Sequence, residues 1–209
     1  MLKNKTLLIL PALLSSLLLS ACGAKQQSVS FSNDDAATDS EVPYTDKLAK
    51  QPINYTNTYN LNQEFKITYK TANPDGTGTA EFKAKSFKQV DSVADRQPED
   101  GKKLYLLEIA IRGNTKNKGE PSTFNQIGDN PSPQFILADK ANNTSYVEET
   151  YYSDAYTQSK NLFELTKITL DHDQWVNTAI AFQVSKDLNP ELAFRFTSAD
   201  GKTEFYAIK

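Results

Sequence analysis

Lys103-Leu-Tyr-Leu-Leu-Glu-Ile-Ala-Ile-Arg112 is the stretch that decides the fold class. Tyr105, Leu107, Ile109 and Ile111 alternate onto one side of an extended chain, while Leu104, Leu106 and Ala110 leave the other side largely apolar. A strand that is apolar on both sides belongs inside a sheet. The run is therefore read as a central strand.

Working towards the N-terminus, Thr79–Val90 alternates Phe82 and Ala84 against Glu81, Lys83 and Lys85, with a phase shift near Ser86-Phe87 that reads as a β-bulge. Before it, Leu61–Lys70 alternates Phe65, Ile67 and Tyr69 against Glu64, Lys66 and Thr68, and Asn73-Pro-Asp-Gly76 supplies turn chemistry. Towards the C-terminus, further strand runs are expected at Gln134–Ala138, Ser145–Glu149, Phe163–Leu170, Thr178–Val184 and Leu192–Thr197. Ala199-Asp-Gly-Lys202 then turns the chain into Glu204–Ile208, an Asp-Gly hairpin. Glu148–Lys160 is the one segment that reads as helical, and its aromatics suit a strand or an ordered loop equally. Short strands between turns, without a long 3.6-residue period, specify an all-β antiparallel β-sandwich, with a barrel as second choice.

The N-terminus has a different character. Lys3 and Lys5 precede an uncharged apolar stretch, Thr6–Leu19, which ends in the small residues Ser20 and Ala21. That is the layout of a cleaved secretory signal over residues 1–21. The apolar stretch is about 14 residues long and interrupted by Pro11, short of the roughly 20 that a membrane-spanning helix needs. Cys22 is the sole cysteine of the chain, and Leu19-Ser-Ala-Cys22 resembles the bacterial lipobox, in which that cysteine takes a diacylglyceryl thioether before cleavage. The alternative is an ordinary signal with an incidental cysteine. With Cys22 acylated, no thiol remains for a disulfide, a thiolate metal site or a nucleophile.

Residues 22–60 are expected to form the lipidated cysteine and a flexible linker. Their Ser, Asn, Asp, Ala, Gln and Thr set up no period and bury too little apolar surface to offset chain entropy. A coil of that length reaches roughly 30–40 Å. Residues 61–209 then form one domain. Loss of Lys3 and Lys5 moves the formal charge from −3 to −5, and no basic face gathers, which argues against nucleic acid as a partner.

The domain carries little recognisable chemistry. His172, the single histidine, lies between Asp171 and Asp173, and a turn position is the expected reading rather than a metal ligand or base. No Gly-x-Ser-x-Gly elbow or phosphate-binding glycine loop occurs. Glu148 and Glu149, as neighbours on a strand, would point to opposite faces and are read as a solvated edge. Asp129-Asn130, or Asp139 with Asn142 and Asn143, could offer oxygens to calcium, but Asx turns are their expected use. No metal, cofactor or catalytic residue is assigned, and the chain is read as a non-enzyme.

The most suggestive segment is Ser145-Tyr-Val-Glu-Glu-Thr-Tyr-Tyr-Ser-Asp-Ala-Tyr156, whose composition is that of an adaptable recognition surface. Tyr151, Tyr152 and Tyr156 are the candidate binding residues; the plainer reading is a strand and loop whose tyrosines pack on the sheet rim. The Gly- and Pro-rich stretch Gly113–Pro133 is expected to be a long binding loop at the same end of the sandwich.

Four stretches carry a resemblance. Lys103–Asn114 ends in Ile-Arg-Gly-Asn and leads through a polar loop to Phe135-Ile-Leu-Ala-Asp-Lys; later come Ala181-Phe-Gln-Val-Ser-Lys-Asp-Leu188 and Glu191-Leu-Ala-Phe-Arg-Phe196. This order resembles the immunoglobulin-like domains of unknown function that follow lipoboxes in many bacterial lipoproteins, a group related in fold to a secreted immunoprotective antigen. The resemblance spans about residues 61–209 and implies an immunoglobulin-like sandwich outside the cytoplasm, with no catalytic residues to carry over. The expected function is that of a lipid-anchored binding or interaction lipoprotein of the cell membrane or envelope, with an envelope or extracellular protein or ligand as partner. A structural accessory subunit of an envelope complex, or an extracytoplasmic hydrolase, are the alternatives.

Overall fold

In the computed structural model, residues 52–71, 76–117, 124 and 133–209 are described. Four strands form one sheet in the order β2 (Glu64–Lys70), β3 (Thr77–Val90), β4 (Lys102–Arg112) and β7 (Val176–Ser185), each antiparallel to its neighbour. Five strands form the other, in the order β1 (Tyr55–Tyr59), β9 (Thr203–Ile208), β8 (Glu191–Thr197), β5 (Gln134–Asp139) and β6 (Thr144–Tyr146). In this second sheet β1 runs parallel to β9 and the remaining pairs are antiparallel. The chain is thus an all-β sandwich, with β4 interior to its sheet as the two-sided apolar pattern requires.

Why the sheets pack face to face follows from the alternation. Phe65, Ile67 and Tyr69 from β2, Phe82 from β3, and Leu107, Ile109 and Ile111 from β4 meet Phe135 and Leu137 from β5 and Phe194 and Phe196 from β8 in one buried cluster. Phe65, Phe82, Phe135 and Phe194 touch across the two sheets, with ring centroids 4.6–6.4 Å apart. The register of β3 against β4 slips between Ala84 and Ser86, next to the expected bulge, and this turns Phe87 back inward opposite Leu107 to stack on Tyr105 at 5.2 Å. Gly78 has no side chain because the Tyr69 ring covers it; a Cβ there would lie 2.5 Å from that ring.

Several expectations are corrected. The linker does not extend to residue 60: Ile53 is buried against Ile136, Ala138, Ala193 and Phe205, and Tyr55–Tyr59 is a strand. Its apolar residues are few, but they complete an outer apolar patch that β5, β8 and β9 already supply. Phe163–Leu170 is not a strand. Its buried Leu165 and Ile168 stand at a three-residue spacing on a 3₁₀ turn, Leu165–Lys167, and the carbonyls of Ile168 and Leu170 accept from Phe124 N and Asn114 N. Ser145–Glu149 contributes only the short β6, because a helix, α1 (Thr150–Ser159), begins directly after Glu149. The signal segment 1–21, Cys22, the turn Asn73–Asp75 and Asp129-Asn130 lie outside the described residues. Among the described residues no helix is long and apolar enough to cross a membrane.

Helix α1 forms against its own composition. Thr, Tyr, Ser and Asp are indifferent helix formers, no side chain caps its first turn, and an isolated helix of ten residues is marginal in water. It persists because Tyr152, with Tyr156 beside it, packs on the outer side of β4 and β7, where Leu104, Leu106, Ala179 and Ala181 would otherwise be exposed.

Candidate functional site: the helix α1 corner

The helix is pinned to the sheet by hydroxyls. Tyr152 Oη donates to Gln97 O at 2.9 Å and lies 3.1 Å from Gln183 Oε1. Tyr156 Oη donates to Glu108 Oε1 at 2.7 Å, and Ser86 Oγ donates to the other oxygen of that carboxylate at 2.9 Å. These bonds hold the Glu108 carboxyl below its usual range, the Tyr156 bond being the largest cause. Burial first and then Glu108 push Tyr156 up to about 12. The two directions describe one arrangement, a neutral phenol donating to an ionised carboxylate. Ser153 Oγ accepts from Ala181 N at 3.0 Å, and Glu149 N donates to Ala181 O at 2.8 Å. In that way the free side of β7 at Ala181 is closed by the helix start, which protects the strand from pairing with another chain.

Of the three candidate tyrosines, then, the structure sets two inward. Tyr152 is 5% exposed and Tyr156 half-buried, so their rings serve packing, while Tyr151 stands 62% exposed. Tyr146 is half-buried in the core rim. The three rings divide between the binding and the packing readings because a helix turns successive residues by about 100°, so Tyr151 and Tyr152 cannot share a face.

Tyr151 has a partner that the sequence did not suggest. The Arg96 guanidinium lies over its ring, 3.8 Å from the centroid, and Arg96 Nη1 donates to Tyr151 O. Arg96 is delivered by a tight turn, with Val93 and Arg96 exchanging both backbone bonds at 3.0 Å. The two residues between them, Ala94 (φ 48°) and Asp95 (φ 64°), are both left-handed. Such a type I′ turn favours Asn-Gly; an alanine there is strained, on the order of 1–2 kcal/mol. Residues held in such conformations concentrate where a side chain must be aimed. Ala-Asp carries no hairpin signal, which is why Arg96 was not legible beforehand.

Other candidates resolve into structural roles. His172 Nδ1 sits 2.9 Å from Gln174 O in a turn. Glu148 is no solvated edge: it is 9% exposed, with Thr150 Oγ1 donating to its Oε1 at 3.3 Å. Asp139 Oδ1 accepts from the backbone N of Ala141 and Asn142, as an Asx turn does, while Asn143 Oδ1 accepts from Ile53 N in a long-range contact. Among the described residues, no three His, Cys, Asp or Glu side chains gather as a metal set. From the expected loop Gly113–Pro133, residues 118–123 and 125–132 lie outside the described residues, whereas Phe124 is a core ring packed on Phe82 and Phe135. A cleft of about 300 Å³ opens at one end of the sandwich, lined by Leu61, Phe87, Pro190, Leu192 and Ile208.

The split between the tyrosines is measurable by urea unfolding. Tyr156→Phe should cost about 2 kcal/mol, since it removes a hydrogen bond to a charged group, and Tyr152→Phe about 1 kcal/mol. Tyr151→Ala should stay within about 1 kcal/mol, the scale of an exposed cation–π contact. A Tyr151→Ala loss as large as that of Tyr156→Phe would make Tyr151 a packing residue instead.

No family model matches the chain, and no curated protein matches it. A solved structure described as a conserved hypothetical protein from Bacillus anthracis is similar over 68% of this chain and 96% of its own, with 14% identity and a TM-score of 0.40.

Proposed function

We propose that this chain is a lipid-anchored lipoprotein outside the cytoplasm, whose immunoglobulin-like sandwich binds an envelope or extracellular partner and catalyses no reaction. The observation that carries the anchor is the place of the sole cysteine. Cys22 follows Leu19-Ser-Ala21 at the end of an apolar run too short to span a membrane. Two or more acyl chains at that residue would hold the protein stably at a bilayer.

Support for binding comes from the corner of Arg96 and Tyr151. Tyrosine and arginine are the residue types that dominate interface energetics, because they offer large contact area and planar hydrogen bonding. Here the two are already ordered against each other, so little side-chain entropy remains to be lost on binding.

Cys22→Ser tests the anchor. Metabolic labelling with a fatty acid should mark the wild type and leave the variant unmarked, since the acyl transfer needs the thiol. Equal labelling of both would overturn the assignment.

A further inference from the structure

We infer that residues 52–59 form an exchangeable strap, through which two copies of this chain can complete each other's five-stranded sheet. Ile53 packs on Ile136, Ala138, Ala193 and Phe205, and Ile53 N donates to Asn143 Oδ1 at 2.9 Å. Tyr55 lies under the Lys140 ammonium at 4.8 Å. Thr58 and Tyr59 stand opposite Ala207 and Ile208 in the parallel ladder with β9. Most of this surface belongs to the sheet that the strap joins from outside, the exception being the Tyr59 ring, which stacks on Phe65 of β2 at 4.7 Å; among the described residues β9 is the strap's sole strand partner.

The connection to the rest of the chain is short and bent. Asn60–Gln63 reverses the chain between β1 and β2, with Asn62 left-handed at φ 66°. The bend is held by Gln63 N to Asn60 O at 3.0 Å, Asn60 N to Gln63 Oε1 at 3.0 Å, and Asn62 N to Ala84 O at 2.7 Å. A short hinge of this kind invites exchange, because straightening it relieves the bend while every other contact can be remade in a neighbour. Strap removal would uncover Ile136, Ala138, Ala193 and Phe205, which are 0–6% exposed. The segment that matches that patch residue for residue is the strap of a second copy. Apart from the entropy of association, which makes the balance depend on concentration, closed monomer and exchanged dimer differ only at the four hinge residues of each chain, and the dimer is two-fold and closed.

The test uses the full chain with Cys22→Ser, handled in detergent, which has no native thiol. One preparation adds Thr58→Cys, another Ala207→Cys; these positions are paired across β1 and β9, within disulfide reach of neighbouring strands. Unfolded together and refolded, the two preparations should give a disulfide-linked heterodimer. Refolded separately and then mixed, they should give almost none. Adding Asn62→Pro, which forbids the left-handed hinge and removes its N–H, should raise the heterodimer yield about tenfold. The proposal is overturned if co-refolding gives no more heterodimer than Thr58→Cys paired with Lys160→Cys, or if Asn62→Pro leaves the yield unchanged in a chain that still folds.

Discussion

Phe194→Ala is expected to remove about 3–5 kcal/mol of stability, the scale for emptying a large aromatic site in a packed core. Phe194 is fully buried and is the ring on which both sheets converge. Its centroid lies 5.0 Å from Phe65 and 4.6 Å from Phe82 in one sheet, and 4.9 Å from Phe135 and 6.0 Å from Phe196 in the other. These neighbours are held by their own strands, so the site cannot collapse around the loss. Domains of this size hold about 5–15 kcal/mol in all, and the variant would stand near the edge of folding. Urea denaturation measures the effect; a loss under about 1 kcal/mol would place Phe194 at a rim rather than at the centre.

Gly113→Ala is expected to cost about 3 kcal/mol or more, for a different reason. An ideal Cβ at residue 113 would stand 2.3 Å from Leu170 O and 2.4 Å from Leu170 C, well inside any real contact. The obstacle is backbone, fixed by the bond from Asn114 N to Leu170 O at 3.2 Å and by the buried Leu170 side chain. Neither side can step away without breaking the crossing of two chain segments. Gly201→Ala supplies the contrast. Gly201 has φ 82° and open space around its Cα, so only the left-handed strain of about 1–2 kcal/mol applies. A Gly113→Ala chain no less stable than Gly201→Ala would mean that the crossing is looser than described.

Most strands were legible because their side chains alternate over a half-buried surface, as in Glu64–Lys70, or are apolar on both faces between charged ends, as in Lys102–Arg112 with Glu108 as the one charged residue inside the run. The bulge was visible as a broken phase, and the last hairpin as Asp200-Gly201. What sequence reasoning missed depends on tertiary context. Tyr55–Tyr59 has no core of its own and becomes a strand because β9 offers it an edge. Leu165, Ile168 and Leu170 are apolar enough for a strand, yet the Ile168 and Leu170 carbonyls accept from Phe124 N and Asn114 N, and the Leu165 carbonyl closes a 3₁₀ turn on Ile168 N. Gly113 reads as loop flexibility in the sequence and acts as a close-approach position in the fold. At the helix corner, composition pointed to Tyr151, Tyr152 and Tyr156 together, and only the rotation of a helix separates the exposed ring from the buried ones. Arg96 was out of reach because it is placed by backbone strain at Ala94 and Asp95, which no residue preference announces.

The anchor at Cys22 and binding at the Arg96–Tyr151 corner are both proposals, and a single experiment on the intact protein in its native envelope tests them together. A photoreactive side chain is placed at residue 151, beside Arg96, and in a second chain at residue 70, on the exposed side of β2. Membrane-bound protein carrying the probe at 151 should yield a discrete crosslinked product that the probe at 70 does not, and Arg96→Ala should reduce it. Equal products from both positions, or a product at 151 that Arg96→Ala leaves unchanged, would contradict the assignment of this corner as the binding surface.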